Sequence, residues 1–141
     1  MILEIDAATL KEIHSCGERF YPEEGAGLLL GEASAERKRV KAALVLPNTR
    51  AEPERRNRYL LTPQDYLQAE KEAERLEMQV VGVFHSHPDH PNQPSDFDRE
   101  WALPWFSYII TSVQNGQAVE SRSWALTEDR TGFSEEKIVV R

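Results

Sequence analysis

The chain has 141 residues, 40% of them hydrophobic and 29% charged, which suits one domain built on one sizeable core. Its net charge of -7 argues against a nucleic-acid backbone as principal partner and is compatible with a basic protein or peptide. Cys16 is the sole cysteine, which excludes an internal disulfide and any cysteine-rich metal site.

The N-terminus, MILEIDAATL, has neither the basic n-region nor the long apolar h-region of an export signal, so the expected location is cytoplasmic. No apolar run is long enough to span a bilayer. Ile2 to Ile5 reads as a short strand, and Asp6 as the N-cap of a helix from Ala7 to Phe20 with Leu10, Ile13 and Phe20 facing the core. Tyr21-Pro22 breaks that helix. Gly27 to Gly31 is a buried strand, Glu32 to Arg39 a polar turn, and Val40 to Pro47 a second strand.

Asn48 to Arg58 is a charged loop carrying Arg50, Arg55, Arg56 and Arg58, and Tyr59 to Thr62 is extended. Thr62 caps a helix that starts with Pro63 and runs to Glu77, with Tyr66, Ala69, Ala73 and Leu76 on one face. Val80 to Phe84 is a strongly apolar strand, followed by a loop stiffened by Pro88, Pro91 and Pro94. Ser95 opens a short helix toward Leu103. Phe106 to Thr111 and Ala118 to Leu126 form a hairpin around an Asn115-Gly116 turn, and Lys137 to Val140 is a last edge strand. The whole reads as a mixed α/β or α+β single domain spanning 1–141.

The run from Val80 to Asp98, VVGVFHSHPDHPNQPSDFD, concentrates the chemistry. His85 and His87 are two apart, so on a strand both point to one face. Ser95 and Asp98 are three apart, so at a helix start both turn back toward that face. Two imidazoles and a carboxylate are a zinc-site composition with a fourth position for water. Each part also has a plainer use. A histidine is commonly a surface or core residue, and Ser95 with Asp98 is a variant of the helix capping box.

HSHPDH also matches the H-x-H-x-D-H run of metallo-β-lactamase-like hydrolases, which would add Asp89 and His90 as ligands. Such a dinuclear site needs further histidines, and none follows His90. Neither H-E-x-x-H nor a paired-cysteine deaminase pattern occurs. Glu23 and Glu24, in YPEEGAGLLLG, read locally as solvated turn residues.

H-x-H, seven residues and then S-x-x-D resembles the motif of the JAMM (MPN+) metalloproteases, met here by His85, His87, Ser95 and Asp98. The upstream glutamate of that family sits in a P-x-E-x-x-G context, met by Pro22, Glu24 and Gly27. Ala26 departs from the cysteine that many relatives carry, at a position outside the metal motif. The resemblance covers most of the chain. It implies an MPN/cytidine-deaminase-like fold, a mixed β-sheet flanked by helices.

It also implies one zinc ion per chain on His85, His87 and Asp98, with water as fourth ligand. Glu24 would be general base and then proton donor to the leaving amine, and Ser95 would hydrogen-bond the oxyanion. Ser86 and Pro88 would shape the turn. Trp101, Trp105 and Phe106 read by themselves as core residues, with a place at an interface as the alternative.

No long insertion fits after Asp98, because REWALPWFSYIITSV returns at once to a strand. The chain therefore resembles the compact prokaryotic type, Mec-like enzymes among them, which act at the C-terminal tails of ubiquitin-like or sulfur-carrier proteins. Such a tail would lie along a strand edge beside the metal. The four arginines of the 48–58 loop would face an acidic carrier surface, against a plainer use as a solvated loop. A non-catalytic MPN-type scaffold is the alternative to an enzyme, and homodimerisation is left open.

Overall fold

The structure is a computed structural model and describes residues 1–46 and 61–141. The arginine-bearing loop and the extended segment at Tyr59 and Leu60 therefore lie outside the described residues. The element order is β1 (Ile2–Ile5), α1 (Ala7–Phe20), β2 (Ala26–Ala33), β3 (Arg37–Leu46), α2 (Pro63–Arg75), β4 (Gln79–Pro88), α3 (Asp96–Trp101), β5 (Ser107–Gln114), β6 (Gln117–Leu126) and β7 (Phe133–Val140). The mixed α/β class expected from the sequence is the class observed.

The strands pair in the order β1-β3-β2-β4-β5-β6-β7, and β7 closes back on β1 as a barrel. Lys137 to Val140 is thus not an edge. β7 begins at Phe133 and pairs on both sides, parallel with β1 and antiparallel with β6. Closure removes the outer strand that an open sheet would leave exposed. The β2–β3 turn is also tighter than the polar run suggested. Glu32 and Ala33 still pair with Arg39 and Lys38, because charged side chains can point outward while the backbone ladder continues. α2 stops at Arg75, and Glu77 takes a left-handed φ of 58°, so Leu76 lies at the cap and is partly exposed rather than core-facing.

Two apolar clusters back the sheet. One joins Ala69 and Ala73 of α2 to Leu28, Leu30, Val83 and Tyr108. The other joins Ile13 and Cys16 of α1 to Leu3, Ile5, Leu29, Phe84 and Ile109. β4 runs between these layers, so both of its faces are buried and its sequence is apolar without alternation. From Val83 onward its odd residues face the α2 side and its even residues the α1 side. Asp6 stands at the N-cap of α1 but makes no side-chain cap. Its carboxylate pairs with Arg39 instead, at 2.8 Å. Asn115 and Gly116 both take positive φ in the β5–β6 turn, as an Asn-Gly hairpin requires.

Candidate metal centre

β4 carries His85 and His87 on the Val83 face to its C-terminal end, and the pleat brings both rings to one side. Their Nε2 atoms are 3.1 Å apart. The loop of residues 89–94 then returns the chain to α3. Asp98, buried in the first turn of α3, places Oδ1 3.1 Å from His85 Nε2 and Oδ2 3.3 Å from His87 Nε2. Donor atoms bound at about 2.0–2.1 Å on a tetrahedral zinc stand about 3.3–3.4 Å from one another, so these separations fit the edges of such a site.

The donor chemistry fits as well. His87 Nδ1 lies 2.7 Å from the Pro91 carbonyl oxygen, which can only accept. The proton therefore sits on Nδ1, and the Nε2 lone pair faces the Asp98 carboxylate. Two acceptors in contact are a placement that a cation relieves. Burial pulls the pKa of His85 below its ordinary value, against the opposing pull of Asp98, and so favours the neutral ligand form. Burial alone would raise the pKa of Asp98. The adjacent His85 imidazole and the Ser95 backbone N–H outweigh it and hold the carboxyl well below its usual range. These three residues are a group able to hold a metal ion.

Ser95 is the N-cap of α3. Its Oγ accepts from the Asp98 N–H at 3.1 Å, while Asp98 Oδ2 accepts from the Ser95 N–H at 2.8 Å. The capping box aims the carboxylate, so the plain reading of this pair and the metal reading describe the same contacts. Glu24 is not a solvated turn residue. It is buried and lines a cleft of about 390 Å³ with His87, Pro88, His90, Pro91, Gln93 and Ser95. All five motif residues therefore come together at the open end of β4, three of them from outside that strand.

Asp89 and His90 stand apart from the donor group. Asp89 takes a left-handed φ of 56°, and its carboxylate accepts from the Tyr21 hydroxyl and the Asn115 N–H. The His90 carbonyl accepts from Ser112 Oγ. Asp89 straps the loop to the end of α1 and the β5–β6 turn, and His90 straps it to β5 and stands at the cleft wall. Ser86 and Pro88 do not shape a turn, because β4 continues through Pro88. Phe106 is buried, but Trp101 and Trp105 are not core residues. They are 56% and 71% exposed and line a groove between α2 and α3 with Leu67 and Phe97. The sequence reading also missed the Pro91 carbonyl that orients His87, since a backbone acceptor carries no sequence signal.

A family of prokaryotic homologs of the JAB domain matches residues 6–127. The chain belongs to that family. A Thermus thermophilus protein, "Probable TtuB-protein conjugate cleaving protease", is 32% identical over 129 residues, covering 89% of this chain and 82% of that protein. A Pyrococcus furiosus desampylase is 39% identical over 80 residues, covering 57% of this chain and 54% of its own length. A solution structure of a Desulfitobacterium hafniense protein superposes with a TM-score of 0.85 at 27% identity, over 99% of this chain and 93% of that one. With its family and relatives so named, the chain is a JAMM-type peptidase. No helix among the described residues is long and apolar enough to cross a membrane.

Proposed function

We propose that residues 1–141 act as one domain, a zinc-dependent peptidase that cleaves the bond between the C-terminal tail of a ubiquitin-like or sulfur-carrier protein and its conjugate. The observation that carries this is the convergence of His85, His87 and Asp98 beside a cleft lined by Glu24 and Ser95. Relatives named for cleaving such conjugates support the substrate class. A zinc ion on the three donors would supply Lewis acidity, lowering the pKa of a water to about 7 and polarising the scissile carbonyl.

Glu24, at the cleft wall, takes a proton from the attacking water and delivers it to the leaving amine. Ser95 Oγ already accepts from Asp98, so its own proton is free to be donated to the carbonyl oxygen as charge builds there. The Pro91 carbonyl fixes the His87 tautomer, and the Ser95 N–H holds one carboxylate oxygen of Asp98. The cleft that would take the tail lies at the barrel end where β2 starts and β4 stops.

The test is zinc content together with cleavage of a C-terminally extended ubiquitin-like carrier. Wild type should carry about one zinc per chain. Glu24→Gln should keep the zinc and lose about 10²- to 10⁴-fold in rate. His87→Ala should lose both, and His90→Ala should keep both. A zinc-free, inert wild type would leave only a scaffold role. Two metals per chain, one lost with His90→Ala, would restore the dinuclear alternative.

A further inference from the structure

β2 and β4 pair antiparallel up to Ala26 opposite His85. One residue further the ladder changes character. The Ser86 N–H still donates to the Gly25 carbonyl, at 2.9 Å. The Gly25 N–H, however, donates to Ser86 Oγ at 2.8 Å, so a side-chain oxygen stands where the ladder would use a carbonyl. Gly25 is covalently next to Glu24. These two bonds are where the chain bearing the glutamate leaves the sheet.

The clamp is buried and backed from behind by α1. Ser86 is 3% exposed, on the face opposite the two histidines. A Cβ at Gly17 would sit 2.9 Å from Val113 Cγ2 and 3.1 Å from Ser86 Cβ, so α1 lies directly against the serine. A Cβ at Gly25 would sit 3.0 Å from Cys16 Sγ, so the same helix also lies against the glycine. Neither partner of the clamp has room to shift toward α1.

We propose that Ser86 is the positioning residue of Glu24. Its hydroxyl fixes the Glu24–Gly25 peptide on β4 and thereby the place of the carboxylate at the cleft, while the histidines on the opposite face hold the metal independently. The inference rests on the reading of Glu24 as general base. A buried N–H without its acceptor would draw the segment out of place, and a misplacement of the order of 1 Å is enough to cost a large factor in rate.

The test uses Ser86→Ala, Ser86→Thr, Glu24→Gln and the Ser86→Ala/Glu24→Gln pair, on the full chain. The substrate is an internally quenched peptide ending in Gly-Gly isopeptide-linked to lysine. Ser86→Ala should keep one zinc per chain, keep KM within about twofold, and lower kcat about tenfold or more. Gly25 N–H exchange should quicken in Ser86→Ala and return to the wild-type rate in Ser86→Thr, which keeps the oxygen. On the Glu24→Gln background, Ser86→Ala should cost nothing further.

Unchanged kcat, lost zinc, or the same fold-loss in both backgrounds would overturn the proposal. Should Ser86→Ala not fold, Ser86→Cys keeps the bulk with a weaker acceptor and must show the same zinc-retaining kcat loss, or the proposal falls. A fully active Glu24→Gln would remove the general-base reading itself. An inert Glu24→Gln beside a fully active Ser86→Ala would remove the clamp alone.

Discussion

The starts of α2 and α3 are built alike. At α2, the Thr62 N–H donates to Asp65 Oδ2 at 2.8 Å and the Asp65 N–H donates to Thr62 Oγ1 at 3.2 Å. At α3, the Ser95 N–H donates to Asp98 Oδ2 at 2.8 Å and the Asp98 N–H donates to Ser95 Oγ at 3.1 Å. Both are capping boxes with aspartate as the third residue after the cap. They differ in what the carboxylate meets next. Asp65 is half-buried beside the exposed Pro63 and Gln64. Asp98 is buried against two imidazole nitrogens at the end of β4. The local pattern satisfies the helix end in both cases, and only the neighbouring strand makes one of them part of a group able to hold a metal ion.

The sharpest way to break this comparison is to remove each aspartate. Asp98→Ala should abolish stoichiometric zinc binding and with it cleavage, whereas Asp65→Ala should cost about 1 kcal/mol in the melting transition and leave both intact. Equal effects of the two, by metal analysis and turnover, would show that the boxes are not functionally distinct. The cap residues give the next largest contrast. Ser95→Ala should lower kcat by about 10²- to 10³-fold as an oxyanion donor is lost. Thr62→Ala should cost about 1 kcal/mol of stability with kcat unchanged. A Ser95→Ala enzyme with wild-type kcat would reduce Ser95 to a cap.

The smallest effect lies away from both boxes. His14 of α1 sits 2.8 Å from Ser121 Oγ, and burial lowers its pKa, with Glu18 pulling the other way. The unfolded chain therefore takes up a proton on this residue before the folded one does. Stability should fall as pH drops below about 6.5, the unfolded value, and should be flat in this respect above it. Melting temperatures of wild type and His14→Gln across that window should show a shallower decline in the variant, while zinc content at neutral pH stays the same in both.

Much of the site was legible in the chain because it is made of local spacings. His85 and His87 share a face because strands alternate, and Ser95 with Asp98 turn inward because a helix start requires a cap. Glu24 was legible only through the family motif, since its own neighbours, Glu23 and Gly25, look like any polar turn. The Gly25 beside it is held by Ser86, 61 residues away in sequence, and by α1. The same gap explains the misread tryptophans. Trp101 and Trp105 are apolar enough for a core, but α2 stands off from α3 and leaves them lining an open groove.

The closing of the sheet was likewise beyond the sequence. β7 reads as an edge strand because its register with β1 joins the two ends of the chain, and no local signal encodes a partner that distant. By itself the sequence determined most of the element types and the two capping boxes, which follow from periodicities of a few residues, and it supplied the candidate donors. The tertiary structure alone decided which polar groups share a burial site. It closed the barrel, it set α1 behind Ser86 and Gly25, and it brought a carboxylate from one helix to two imidazoles on a strand, because those contacts depend on the packing of distant segments rather than on neighbours in the chain.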